Sequence, residues 1–182
     1  MSREDTRAKI IETFRELAAT KSLDKITVLD ISEKCGITSQ TFYNHFSDKY
    51  DLVNTLHSIR FDEVCDNVRD RKITWGEGLV DYLKGYSDYS KFIMNAYGNL
   101  GDENSYMRKA VDHMVIKMCN VYEVRKERPV DDELLFAIKL YSEGIMCTVY
   151  RWLRGDYKMS EQELANYIHK AIPKIIVDRY EE

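Results

Sequence analysis

The chain has 182 residues, 27 Lys and Arg against 31 Asp and Glu, a net charge of -4 and 44% hydrophobic residues, with 8 glycines and 2 prolines. That length suits one compact domain or a small domain joined to a larger one, and the low Gly and Pro content argues against disordered, collagen-like or many-turned all-β chains, so an all-α fold is expected. No apolar run approaches the roughly 20 residues that span a bilayer, and the start MSREDTRAK is charged where a secretory leader turns apolar, which predicts a cytoplasmic protein with no membrane partner.

In chain order, Ile10, Ile11, Phe14, Leu17 and Ala18 form the first helical stripe, at the spacing of a helix lying on a core. Thr27 stands three residues before Asp30, a capping-box arrangement that predicts a helix start. That helix runs through Ile31 to Cys35, and Gly36 follows where a left-handed residue closes a helix without a Cβ penalty. Thr38 then caps a further helix, about Ser39 to His45, after a turn of only Gly36 and Ile37. The pattern is helix, tight turn, helix.

The second of these helices is near 10 Å long and cannot be stable alone in water, so packing must hold it. Ile37, Thr41, Phe42 and Phe46 fall on one side as its anchor. Ser39, Gln40, Tyr43 and Asn44 fall on the other, a polar, uncharged stripe rich in hydrogen-bonding groups. An α-helix fits the major groove of B-DNA, where side-chain amides pair with the adenine edge and hydroxyls contact most bases. Ser39, Gln40 and Asn44 are therefore the candidate base-reading residues on double-stranded DNA. Thr27, Thr38, Tyr43, His45 and Lys49 surround that stripe with groups suited to phosphate oxygens, which position a protein without specifying sequence. No Arg or Lys lies between Ser39 and Asn44, so guanine's bidentate partner is missing and A·T positions are expected to dominate direct readout. The same spacing, taken alone, also describes a packed helical pair with a solvated polar face.

Quoted in full, the run from Thr27 to Leu52, TVLDISEKCGITSQTFYNHFSDKYDL, resembles the DNA-binding signature of the TetR family of bacterial transcriptional regulators. The shared features are Asp30-Ile31, a small residue before Gly36, the Thr41-Phe42-Tyr43…His45-Phe46 run, and Lys49 followed by Leu52. Cys35 stands where the family often has alanine, and Gln40 where glycine is common. The resemblance implies a three-helix DNA-binding head, over residues 1–47, and a larger helical body for ligand binding and dimerisation, over 48–182, with a helix at 48–70 as connector. It also implies a homodimer modulated by an effector, and repression as the usual mode. An activator, or an interaction module controlled by a partner protein, is the alternative.

Residues 1–50 hold 8 Lys and Arg and 8 Asp and Glu, leaving 19 against 23 in the rest. With a neutral head, generic affinity must come from few local contacts, which makes two heads on a pseudo-palindromic site physically attractive. Breaks in composition at Arg71–Gly78, Gly98–Ser105, Arg125–Asp132 and Gly155–Ser160 predict helices over 79–86, 89–97, 105–124, 132–154 and 160–180, with Pro173 kinking or ending the last. The tract from Asp131 to Ile168 is similar to the C-terminal end of a Firmicutes-type TetR body, a subgroup that includes a regulator of dihydroxyacetone kinase genes. Leu134, Ile138, Ile145 and Val149, with Leu164, Ile168, Ile172 and Ile175, are expected to form two seams of an intermolecular four-helix bundle, an intramolecular core of the same residues being the lesser alternative.

Tyr82, Tyr86, Phe92, Tyr106, Met107, Met114, Met118 and Tyr141 are the candidate lining of an apolar effector pocket with hydroxyl handles. At helical spacing they also read as plain core, and only the family resemblance favours the pocket. Cys35, Cys65, Cys119 and Cys147 lie far apart with no histidine at zinc-ligand spacing, so free thiols are expected and neither metal nor cofactor. No catalytic Ser/His/Asp set, carboxylate pair or phosphate loop is visible, which predicts no enzyme.

Overall fold

The computed structural model describes residues 2–22, 25–84 and 106–181. Within them lie nine helices and no strand: α1 (Arg3–Ala18), α2 (Val28–Cys35), α3 (Ser39–Tyr43), α4 (Lys49–Arg69), α5 (Trp75–Lys84), α6 (Tyr106–Lys126), α7 (Asp132–Leu153), α8 (Glu161–Lys170) and α9 (Lys174–Glu181). The fold class is all-α. The chain divides into two compact units, Met1–His57 and Ser58–Glu182, and the division falls inside α4.

In the first unit Ser2 caps α1 through a capping box, its Oγ accepting from Asp5 N at 3.1 Å while Ser2 N donates to the Asp5 carboxylate at 2.8 Å. The buried stripe of α1 is Thr6, Ile10, Ile11, Thr13 and Phe14, with Leu17 and Ala18 only half-buried. Ile26, Ile31, Cys35, Phe42, Phe46, Leu52 and Val53 complete this core. Helix α1 packs on α2, and α2 on α3.

In the second unit α5 starts four residues before the expected Leu79. Thr74 and Glu77 form a capping box there: Thr74 N donates to Glu77 Oε2 at 2.8 Å, and Glu77 N donates to Thr74 Oγ1 at 3.3 Å. The expected loop over Arg71–Gly78 is thus shorter than composition suggests, because its two glycines lie in a helical turn. Gly78 is there for closeness: a Cβ on it would sit 2.5 Å from Val64 Cγ1 of α4. Gly78→Ala is expected to cost about 1–3 kcal/mol, since the β-branched Val64 cannot swing aside. Denaturant midpoints of the single variant and of a Gly78→Ala/Val64→Ala pair check this, the pair being less destabilised than the sum of its parts.

Helix α6 packs along α7, α7 also meets α9, and α5 packs on α8. The core they enclose includes Met107, Val111, Met114 and Met118 from α6 and Leu134, Ile138, Tyr141, Ile145 and Val149 from α7. Pro173 ends the expected last helix and does not merely kink it: α8 stops at Lys170, and Pro173 O accepts from Ile176 N at 2.9 Å as α9 begins. The expected helix over 89–97 lies outside the described residues.

The seam proposed from periodicity needs correcting. Leu134, Ile138, Ile145, Val149, Leu164 and Ile168 are all buried within the single chain, and Ile172 and Ile175 are half-buried. The six buried residues fill the chain's own core, the alternative reading of their spacing, while Ile172 and Ile175 keep part of their surface exposed. On the opposite side of α7, Phe136 is 69% and Leu140 59% exposed, with Gly144 and Cys147 continuing that exposed line, and Tyr167 of α8 is 59% exposed.

Candidate nucleic-acid interface

The turn between α2 and α3 is built by its ends. Thr27 is the N-cap of α2: its Oγ1 accepts from Asp30 N at 3.1 Å and donates to Asp30 Oδ2 at 2.6 Å, and Thr27 N donates to the same carboxylate at 2.7 Å. Gly36 closes α2 at φ 70°, a left-handed value that an L side chain adopts only at a cost, and Ile37 N donates back to Ser32 O at 3.0 Å. Thr38 caps α3 by accepting from Thr41 N at 3.1 Å. Two residues, Gly36 and Ile37, therefore separate the helix end from the next cap.

Helix α3 has five residues, and Phe42 is its single buried side chain. Phe42 lies with its ring centroid 5.8 Å from that of Phe46, and edge-on to Tyr43 at 5.5 Å. This aromatic anchor leaves Gln40, Tyr43 and Asn44 exposed and Ser39 half-exposed. Gln40 Nε2 donates to Asn44 Oδ1 at 3.3 Å. Among the described residues Gln40 Oε1, its second amide proton and the Asn44 amino group have no further hydrogen-bond partner. An amide presenting an acceptor beside a donor matches the N6/N7 edge of adenine.

The expected phosphate-facing residues are less free than their types suggest. The Thr27 hydroxyl proton goes to Asp30, and the Thr38 hydroxyl shares a 2.9 Å hydrogen bond with Thr41 Oγ1. Lys49 Nζ donates to Ile26 O at 2.9 Å and lies over the Tyr50 ring, and His45 is half-buried. Arg3 and Arg7 were missed by sequence reasoning. Arg3 donates to Asn44 O at 3.4 Å, and the Arg7 guanidinium lies 5.0 Å from the Phe46 ring centroid with a bond to Thr55 Oγ1 at 3.4 Å. Their four-residue spacing at the start of α1 was the available signal.

Hydrogen bonds from the Thr27 hydroxyl, then the Thr27 amide, and then Lys21 hold the Asp30 carboxyl down at about 2, against an ordinary 3.8. A depressed folded-state value means that this stabilisation is present above the unfolded value and lost as pH falls. Wild-type chain should therefore lose stability between about pH 4 and pH 2, and Asp30→Asn should show a shallower loss there, checked by urea midpoints across that range.

In the second unit, Tyr82, Met107, Met114, Met118 and Tyr141 are buried and Tyr106 is half-buried, while Tyr86 and Phe92 lie outside the described residues. Tyr82 packs against Phe61 at 5.3 Å. Burial pushes the Tyr141 hydroxyl up to about 12, so it stays a neutral donor, bonded to Ile168 O at 3.0 Å. Ser142 Oγ donates to Met118 Sδ at 3.7 Å. Sequence reasoning passed over Asp62, whose carboxylate takes His113 Nε2 at 2.7 Å and Lys117 Nζ at 3.2 Å. Burial also raises the Cys65 thiol to about 12, which leaves it unreactive.

Comparison with known proteins places these observations in a family. The family model for bacterial regulatory proteins of the tetR family matches residues 10–56, and a model for a transcriptional regulator C-terminal region matches residues 74–174. The chain is 26% identical over 115 residues to the uncharacterized HTH-type transcriptional regulator YvdT of Bacillus subtilis (strain 168), covering 63% of this chain and 58% of that protein's length. Among solved structures, the Thermus thermophilus FadR, a TetR family repressor in complex with lauroyl-CoA, superposes with a TM-score of 0.65 at 13% identity, over 91% of this chain and 92% of that one. The dihydroxyacetone kinase operon activator DhaS gives a TM-score of 0.53 at 20% identity, over 97% and 96%. At those identities the two structures speak for the fold alone.

Proposed function

Because the chain belongs to the TetR family of bacterial transcriptional regulators, we propose that it is a cytoplasmic repressor that binds a pseudo-palindromic DNA operator as a homodimer and is released by a small-molecule effector. The observation that carries the DNA reading is α3 itself, a short helix held by Phe42 and presenting Gln40 and Asn44 outward with no core role. Ser39, Gln40 and Asn44 read bases; Tyr43 and the cations flanking α3 position the protein on phosphates.

Support for a homodimer comes from the outer side of α7, where the large apolar side chains Phe136 and Leu140 are exposed between charged Lys139 and Glu143. Large apolar side chains one turn apart on an exposed helix side suit a partner surface. One side is covered by the chain's own core, and Phe136, Leu140 and Gly144 on the other side are to be covered by a second copy. Buried methionines and tyrosines of α5 to α7 supply an adaptable lining for an apolar effector body. The effector acts by preferring the conformation with poor operator affinity, and a near-complete switch takes a preference of about 5.5 kcal/mol.

Selection of duplexes from a random pool on the full chain tests this reading. Recovered sequences should carry inverted repeats with A·T pairs at the positions facing α3, and candidate metabolites should release them. Failure to retain any duplex at low salt, or recovery of guanine cores facing α3, overturns it. Activation is the second reading, since nothing in α3 or its surroundings sets the sign of regulation. A reporter that loses transcription when the gene is deleted supports activation over repression.

A further inference from the structure

We propose that Arg3 and Arg7 of α1 are phosphate-contacting residues that hold the C-terminal end of α3 on DNA, an inference that rests on the DNA-binding reading above. Three of the eight cations in residues 1–50 face carboxylates: Arg15 lies 3.7 Å from Glu12, Lys21 3.0 Å from Asp30, and Lys34 3.0 Å from Glu16. Arg3 and Arg7 pair with no carboxylate among the described residues, and both are exposed. Lys9 and Lys25 also face no carboxylate among the described residues, so what sets Arg3 and Arg7 apart is their place, one bonded to Asn44 O and the other over the Phe46 ring.

The placement is otherwise unfavourable. Arg3 is the first residue of α1 and Arg7 lies one turn on, so both oppose the positive end of the helix, and like charges at i and i+4 repel. Of the two acids in this turn, Asp5 is turned back onto Ser2 by the capping box, and Glu4 forms no ion pair with either arginine among the described residues. An anion in front of this pair would offset both penalties. When α3 occupies a groove about 12 Å wide, its two ends approach the flanking backbones. At its N-terminal end the Thr27 and Thr38 hydroxyls are already engaged. At its C-terminal end Arg3 uses one of five guanidinium protons on Asn44 O, and the Arg7 guanidinium lies 5.0 Å from the Phe46 ring centroid with one bond to Thr55 Oγ1. Each guanidinium keeps further donors, of the kind that suits phosphate oxygens.

The test uses the full chain and a duplex recovered by the selection described above. Affinity is measured between about 50 and 200 mM salt for wild type, Arg3→Gln, Arg7→Gln, Arg7→Lys and Arg15→Gln. The slope of log affinity against log salt should become shallower by about 0.9 per bound head in Arg3→Gln and in Arg7→Gln. Arg15→Gln should keep the wild-type slope and Arg7→Lys should largely restore it, with unchanged preference among recovered sequences throughout. Unchanged slopes in Arg3→Gln and Arg7→Gln overturn the proposal while leaving the DNA reading intact. So does a lowered thermal midpoint without a slope change, which would make Arg3 only a cap for α3. A wild-type chain that binds no duplex overturns both. If Arg7→Gln does not fold, Arg3→Gln decides: a slope shallower than wild type with an unchanged thermal midpoint supports the proposal, and an unchanged slope overturns it.

Discussion

Replacing Gln40 and Asn44 together by alanine is expected to lower affinity for a selected duplex by about ten- to several-hundred-fold while leaving the thermal midpoint unchanged. Each well-placed amide–adenine pair is worth about 1–3 kcal/mol of discrimination. Neither side chain contributes to the core, because Phe42 alone anchors α3. The two substitutions should not add. Gln40 Nε2 donates to Asn44 Oδ1, so Asn44→Ala also frees the Gln40 amide to rotate, and the second substitution then has less left to remove. A double-mutant cycle on one duplex, with circular dichroism on each protein, reads both quantities. Equal losses on selected and on random duplexes would mean that these amides do not read sequence.

Leu140→Asp is expected to convert a dimer to monomers and to reduce affinity for a two-half-site duplex by about two to four orders of magnitude. Burying a leucine side chain is worth about 1.5–3 kcal/mol, and in a two-fold interface each substitution appears twice. Leu140 is exposed in the single chain, so the monomer should stay folded. Ile138→Asp provides the contrast. That side chain is fully buried inside the chain, and a carboxylate there should cost the fold itself. Sedimentation separates the two outcomes, and a Leu140→Asp chain that stays dimeric would move the interface elsewhere.

The difference between those two positions also explains what the sequence could reveal. Helix ends were legible wherever a side chain bonds nearby backbone, as Thr27 with Asp30, Thr38 at the start of α3 and Ser160 with Glu163 at the start of α8, or where a glycine takes a positive φ, as Gly36 does. The Thr74–Glu77 box carries the same signal and was hidden by the neighbouring glycines, whose role is the close approach of α5 to α4 at Val64. Periodicity found the apolar stripe of α7 but could not say which helices cover it. The 3.6-residue repeat records burial and is blind to whether the covering atoms belong to the same chain. Of the residues proposed to face DNA, those on α3 were legible because the helix is short and its anchor aromatic. Arg3 and Arg7 were not, since a cation's availability depends on which carboxylates the fold brings to the others.

Helix α3 divides its labour unevenly: one phenylalanine secures it, and the polar outward residues are released from structural duty. Such a division makes the unit readily evolvable. Random exchange at Ser39, Gln40, Tyr43 and Asn44 can explore new target sites without first passing through unfolded intermediates, whereas drift at Phe42 or Gly36 is closed. A combinatorial library at those four codons should therefore yield mostly folded proteins, offering a route to regulators with reassigned operators from one scaffold.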